Sequence, residues 1–250
     1  MESSVRNFAK KIYHKVLNGK SQGESLIEKY DEEAVSIIQL CQPYTMTASS
    51  NLYAIIEAVR YLEENNINGS LVECGVWRGG CSMAMTETLK RLGSNRDVYL
   101  YDTFDGMSEP SDIDVRDSGE PASIKYERLK EQNEKWCYAS LEDVTRNLSL
   151  LEYDTNKVHF IKGKVEDTIP ECVPESIALL RLDTDWYEST KHSLEHLFPL
   201  LAVGGVLILD DYGTWAGARK AVDEYREANN IPLLLNYINK TVRVAVKVQR

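Results

Sequence analysis

The chain lacks the marks of several protein classes before any motif is read. Its five cysteines, Cys41, Cys74, Cys81, Cys137 and Cys172, are odd in number, scattered and free of any CxxC pair. That spacing excludes a disulfide framework and a zinc knuckle and reads as reduced, intracellular thiols. No stretch approaches the roughly 20 apolar residues of a spanning helix, and the opening MESSVRNFAKKIYHKVLNGK holds no long apolar run. A cytoplasmic chain with no membrane partner is expected. Positive charge is in deficit, with 29 Lys and Arg against 39 Asp and Glu and a formal net charge of −10. Such a balance opposes phosphate backbones, so no nucleic-acid partner is expected. Histidine is sparse. Of His14, His159, His192 and His196, only the last two share helical spacing, which reads as a packed or solvated face rather than a metal site. The sequence also has no G-x-S-x-G elbow, no Walker P-loop and no G-x-G-x-x-G fingerprint.

What is present is an ordinary globular composition, 43% hydrophobic and 27% charged over 250 residues, which suits one sizeable core. Residues 1–50 read as a helical N-terminal extension and 51–250 as the main domain. LYAIIEAVRYLEENN (52–66) has apolar residues at spacings of three and four, an amphipathic helix. Short β-rich runs then recur: SLVECG (70–75), DVYLYD (97–102), KVHFIKG (157–163), IALLRLD (177–183) and GGVLILD (204–210). Helical patterns lie between most of them, so an α/β fold with a mostly parallel sheet is expected. IPLLLNYI and TVRVAVKV, separated by a polar turn at Asn239–Lys240, predict a closing antiparallel hairpin. Residues 105–121 carry six acids, one Arg, two prolines and two glycines without apolar periodicity. They read as a loop or lid within a 105–140 segment.

The chemistry-bearing stretches fall at strand ends. VECGVWRGG (72–80) runs a strand into Gly75, Gly79 and Gly80 ahead of a helix, so a ligand can approach the helix N-terminus. Asp102 closes the next strand, where an acid can accept the hydroxyls of a ribose; the competing reading is a turn acid. Glu166 or Asp167 follows the third strand within reach of an adenine edge, unless it merely caps a helix. RLDTDWY ends the fourth strand with Asp183 and Asp185, on one side if the strand stays extended, and LILDDYG ends the fifth with Asp210 and Asp211. In the common doubly wound order these strands are neighbours about 4.8 Å apart, so four carboxylates share one mouth. That crowding calls for a cation or for protonation. Oxygen donors without His or Cys favour Mg²⁺ or Ca²⁺, and an acid outside the metal's shell can act as general base.

With those residues in hand, the chain resembles the macrocin O-methyltransferase family. The matching text is PYTMT (43–47), LVECGVWRGG (71–80), YDTFDGM (101–107), GKVEDTIP (163–170), LLRLDTDWYEST (179–190) and FPLLAVGGVLILDDYGTWAGARKAVDEY (198–225). The resemblance implies a seven-stranded Rossmann-like class I methyltransferase that uses S-adenosylmethionine and Mg²⁺, is often a homodimer, and methylates a hydroxyl on a small-molecule acceptor, with a glycosylated one preferred. It implies Asp183, Asp210 and Asp211 as metal ligands and Asp185 as base. It implies cofactor contacts from Thr45, Met46, Glu73, Gly75, Arg78, Gly79, Asp102 and Glu166. Some relatives use a histidine near the lid. None stands between His14 and His159 here, which strengthens Asp185 as base. A nicotinamide-dependent oxidoreductase on a similar fold, a non-sugar diol or phenol acceptor, and a catalytically silent cofactor-binding protein are the competing readings.

Overall fold

The computed structural model describes residues 30–249. The expected N-terminal extension therefore lies largely outside the described residues. The unit that carries the sheet begins at Ser36. Its order is helix α1 (Glu32–Cys41, begun in the preceding unit), α2 (Ser49–Glu64), β1 (Ser70–Cys74), α3 (Gly80–Arg91), β2 (Val98–Asp102), α4 (Ala122–Glu131), α5 (Leu141–Ser149), β3 (Val158–Lys162), α6 (Val165–Thr168), β4 (Ile177–Leu182), α7 (Tyr187–Leu197), β5 (Leu201–Leu209), α8 (Ala216–Ala228), β6 (Asn236–Tyr237) and β7 (Arg243–Val246). The seven strands form one sheet in the order β3-β2-β1-β4-β5-β7-β6. Pairings from β3 through β5 are parallel, and β7 runs antiparallel to both β5 and β6. The doubly wound α/β reading is met, with β1 and β4 at the switch point where ligands of such sheets bind.

The central strands form because both of their faces are covered. All six residues of β4 are buried, as are four of five in β1, and their runs are apolar except where Glu73 and Arg181 interrupt them. Those two residues are directly paired across β1 and β4, while Arg181 pairs with Ile208 across β5. Burial of each Leu or Ile around them contributes roughly 1.5–3 kcal/mol, which the sheet sets against the cost of enclosing the charges.

Two sequence expectations change. IPLLLNYI supplies only the two-residue strand Asn236–Tyr237, and Leu234 is 86% exposed. Pro232 cannot donate to a ladder, and the turn is held instead by Asn239, whose Oδ1 accepts from Thr241 N and Val242 N at 2.9 and 3.1 Å. The 105–121 stretch is not a bare loop. Val115 bridges Pro121, Arg116 bridges Trp215, and α4 follows at once. Among the described residues no helix is long and apolar enough to cross a membrane.

Candidate active site

A cleft opens at the carboxyl edge of β1, β2, β3 and β4. Met46, Gly75, Asp102, Glu166, Asp183 and Asp185 are among the residues that line it. At its base β1 meets the loop after β4. A Cβ on Gly75 would stand 1.9 Å from the Asp183 carbonyl oxygen, and its φ is +86°. Only glycine fits there. Gly79, at φ +88°, caps the start of α3, and a Cβ on Gly80 would meet Thr45 Cβ at 2.6 Å. The PYTMT turn therefore packs against the helix start and delivers Met46 to the rim.

The expected cofactor residues divide. Met46, Gly75, Asp102 and Glu166 line the cleft; Thr45, Glu73, Arg78 and Gly79 do not. Arg78 Nε donates to Asp143 at 2.8 Å on the outside of the loop, and Thr45 Oγ1 accepts from Thr47 N at 3.0 Å. Asp102 Oδ2 accepts from Val76 N and Trp77 N at 2.7 and 3.0 Å, and Oδ1 accepts from Phe104 N at 2.8 Å. This carboxylate thus pins the glycine loop to β2. Thr103 Oγ1 adds a longer contact to Oδ1 at 3.4 Å, so the carboxylate's roughly four acceptor sites all face donors of the protein.

Glu73 is buried rather than cleft-facing. Ser82 donates to its Oε2, and Arg181 Nη1 lies 2.6 Å from its Oε1. Burial pushes the Glu73 carboxyl up to about 7 against the opposing pull of Arg181. Arg181 itself is 1% exposed. Burial disfavours its charge, but Asp183, Asp210 and Glu73 outweigh that and hold it above its ordinary range.

The four mouth acids have different partners. Arg181 Nη2 is 2.8 Å from Asp210 Oδ1 and 2.8 Å from Asp183 Oδ2. Asp183, Asp185 and Asp211 each offer an oxygen within 4.8 Å of the others. Asp211 Oδ2 is buried without a hydrogen-bond partner. Asp185 Oδ1 accepts from Trp215 Nε1 at 2.5 Å. Burial, with Asp183 adding to it, pushes Asp185 up to about 7 and Asp210 up to about 6, and burial with Asp185 nearby raises Asp211 well above the usual carboxylate range. The strand does not stay extended through RLDTDWY. It ends at Leu182, and Asp185 adopts φ +64° as Trp186 N bonds back to Thr184 O at 2.7 Å. Asp183 and Asp185 both face the cleft by way of a turn, not by strand alternation.

Three tryptophans support this turn. Trp186 and Trp215 meet edge to face with centroids 5.0 Å apart, and Trp136, from the segment after α4, lies 5.7 and 6.1 Å from them. The 105–121 segment is strapped to the same place. Trp186 Nε1 donates to Ser108 O at 3.0 Å, Ala216 N to Val115 O at 2.8 Å, and Asp117 N to Thr214 O at 2.9 Å. Buried Asp114 accepts from Tyr187 N at 2.8 Å through Oδ1 and from Ser111 N and Oγ through Oδ2. Among the described residues the histidines stay outside the site. His192 Nε2 meets Ile169 O at 2.8 Å and His159 meets Asp97 at 2.7 Å.

Sequence reasoning missed Arg181 and the Trp215 donor. The signal for Arg181 was visible: a charged residue inside an otherwise apolar buried strand needs a partner. Trp215 had none, because its bond to Asp185 crosses from one loop to another.

Comparison with known proteins agrees with this architecture. A model of the macrocin-O-methyltransferase (TylF) family matches residues 4–246. The chain is 36% identical over 184 residues to demethyldecarbamoylnovobiocin O-methyltransferase of Streptomyces niveus, covering 73% of this chain and 68% of that one. It is likewise 36% identical over 184 residues to 8-demethyl-8-(2,3-dimethoxy-alpha-L-rhamnosyl)-tetracenomycin-C 4'-O-methyltransferase of Streptomyces olivaceus, covering 73% and 67%. The solved O-methyltransferase NovP superposes with a TM-score of 0.71 at 32% identity, covering 82% of this chain and 83% of that one. With its parallel sheet, glycine loop and acid mouth, the chain belongs to the macrocin-O-methyltransferase family and is an S-adenosylmethionine-dependent O-methyltransferase.

Proposed function

We propose that this enzyme methylates a hydroxyl of a sugar moiety on a glycosylated natural product, with Mg²⁺ held by Asp183, Asp210 and Asp211 and with Asp185 as general base. The observation that carries the reading is the cluster of Asp183, Asp185 and Asp211 within 4.8 Å, with Asp211 Oδ2 buried and unpartnered; Asp210 stands outside that cluster and joins the reading through Arg181 Nη2, which it shares with Asp183. Three acids, Glu73, Asp183 and Asp210, share one guanidinium, and Asp185 and Asp211 stand beside Asp183 with no cation among the described residues paired to them. All its donors are carboxylate oxygens, the set that hard divalent ions prefer, and Mg²⁺ commonly takes few carboxylates and keeps waters or substrate oxygens. Asp210 gives one oxygen to Arg181, so its share in the ion rests on the other. A cation bound there lowers the pKa of an acceptor hydroxyl and balances developing negative charge.

The chain's own residues do the rest. S-adenosylmethionine supplies the methyl group. Gly75 lets β1 pack against the Asp183 turn beneath the cofactor cleft, and Asp102 holds the glycine loop at its edge, the strand end where a ribose would lie. Asp185 takes the hydroxyl proton. Its Oδ1 is fixed by Trp215, and its raised pKa near 7 makes it a base matched to neutral pH. Trp136, Trp186 and Trp215 exclude water behind it. Positioning and charge stabilisation supply most of the rate.

The sugar acceptor is supported by the relatives, one of which is named for a rhamnosyl-bearing substrate. Exposed Leu234, Tyr237 and Val248 near the open β6 edge support the expected homodimer. The test is a mass-spectrometric screen of glycosides for a gain of one methylene equivalent with S-adenosylmethionine and Mg²⁺. Activity that survives excess chelator removes the metal from the reading, and transfer to free phenols but to no glycoside removes the sugar.

A further inference from the structure

Among the described residues Arg181 is the cation enclosed among the mouth acids, and its place in the sheet dictates what it can do. It lies inside β4, faces Glu73 across the β1 pairing, and has Asp183 two residues on along the same chain. Its guanidinium reaches three carboxylates at once: Nη1 to Glu73 at 2.6 Å, Nη2 to Asp183 and Asp210 at 2.8 Å each. Glu73 is itself fixed by Ser82 in the first turn of α3, so the fork is anchored on the side away from the cleft. Nε is buried without a partner, so the fork's orientation serves the three carboxylates.

We propose that Arg181 is a positioning residue for the divalent cation: it hydrogen-bonds Asp210 and pairs with one oxygen of Asp183, which leaves the other oxygen of Asp183 to the cluster with Asp185 and Asp211. The inference rests on the metal reading above. Partners that hydrogen-bond a metal's carboxylates orient them, and their loss typically weakens metal binding about 10–100-fold. A planar fork can hold two carboxylates from one nitrogen and a third from another. An ammonium at the end of a flexible stem cannot fix that geometry.

The sign of the effect separates positioning from charge. Loss of the positive charge alone would strengthen cation binding, so weaker binding identifies lost orientation. Two variants hold the net charge of the mouth constant. Arg181→Lys keeps the cation without the fork. Compared at pH 8, where Glu73 with its pKa of about 7 is ionised, the double variant Arg181→Met with Glu73→Gln removes one charge of each sign and leaves no buried unpaired acid at Glu73.

The experiment titrates Mn²⁺ into the wild-type chain and both variants, reads free Mn²⁺ by electron paramagnetic resonance, and measures S-adenosylhomocysteine binding to the same samples by calorimetry. The expected result is Mn²⁺ affinity weakened about 10–100-fold in both variants, with homocysteine-cofactor affinity within about threefold of wild type, since Arg181 does not line the cofactor cleft. Unchanged or tighter Mn²⁺ binding in either variant overturns the proposal, as does an equal loss of both ligands, which would make the role merely structural. A wild-type chain that binds no Mn²⁺ overturns the metal reading itself and this inference with it. Wild-type binding with unaltered variants overturns this inference alone.

Discussion

Arg181 Nη2 lies 2.8 Å from Asp210 Oδ1, whereas the adjacent Asp211 has a buried Oδ2 with no partner at all. Two neighbouring acids thus carry different charges of work. Asp210 is neutralised from beneath by the sheet's own guanidinium, and Asp211 joins Asp183 and Asp185 in the cluster open to a cation. An Arg–carboxylate pair enclosed in a sheet adds little net stability, so its value lies in geometry.

The first prediction concerns Asp185, a member of the carboxylate cluster with Asp183 and Asp211. Asp185→Asn should lower turnover by two orders of magnitude or more, in line with the roughly 10²–10⁴-fold worth of a positioned base, and should leave Mn²⁺ affinity within a few-fold. Single-turnover rates beside Mn²⁺ titration check this. Lost Mn²⁺ binding would instead make Asp185 a ligand.

Stability should respond to pH through Glu73. Its folded pKa of about 7 stands above its ordinary 4.5. Between those values the folded chain keeps a proton that the unfolded chain has released, so stability falls as pH rises through that window and is complete below it. Glu73→Gln removes the effect. The melting temperature of wild type relative to the variant should drop from pH 5 to pH 8, and parallel curves would contradict the assignment.

At Gly75 the backbones of β1 and the Asp183 turn leave no room for a side chain, since a Cβ would sit 1.9 Å from a carbonyl oxygen. Gly75→Ala should destabilise the fold by more than about 3 kcal/mol, through a clash and a left-handed φ together. Urea unfolding measures it. A loss under about 1 kcal/mol would mean the turn can open.

The 105–121 strap depends on Asp114, whose carboxylate receives two backbone N–H groups and a hydroxyl. Asp114→Ala takes the acceptor from the part-buried Tyr187 N–H and frees Ser111 to solvent, at a cost of about 1–3 kcal/mol. Limited proteolysis should then cut within 105–121 faster than in wild type. Equal cleavage rates would show that the strap is held elsewhere.

Much of this molecule is legible in its local patterns. Strand and helix order, the glycine loop before α3, and acids at the carboxyl ends of β4 and β5 all follow from periodicity and from residue types at strand ends, which are short-range properties. The cofactor residues were read less evenly. Gly75 and Asp102 reach the cleft because each ends a strand, but Glu73 alternates to the interior, and Arg78 turns outward to Asp143. The partners of each carboxylate were beyond such patterns. The Glu73–Arg181 bond spans 108 residues, Arg181–Asp210 spans 29 and Trp215–Asp185 spans 30. Composition announces four acids in need of positive charge. The register of β1, β4 and β5 and the turn at Asp185 assign two to a guanidinium and one to an indole and leave a buried oxygen of the fourth unpartnered, because hydrogen bonding is set by distances between atoms that only folding brings together.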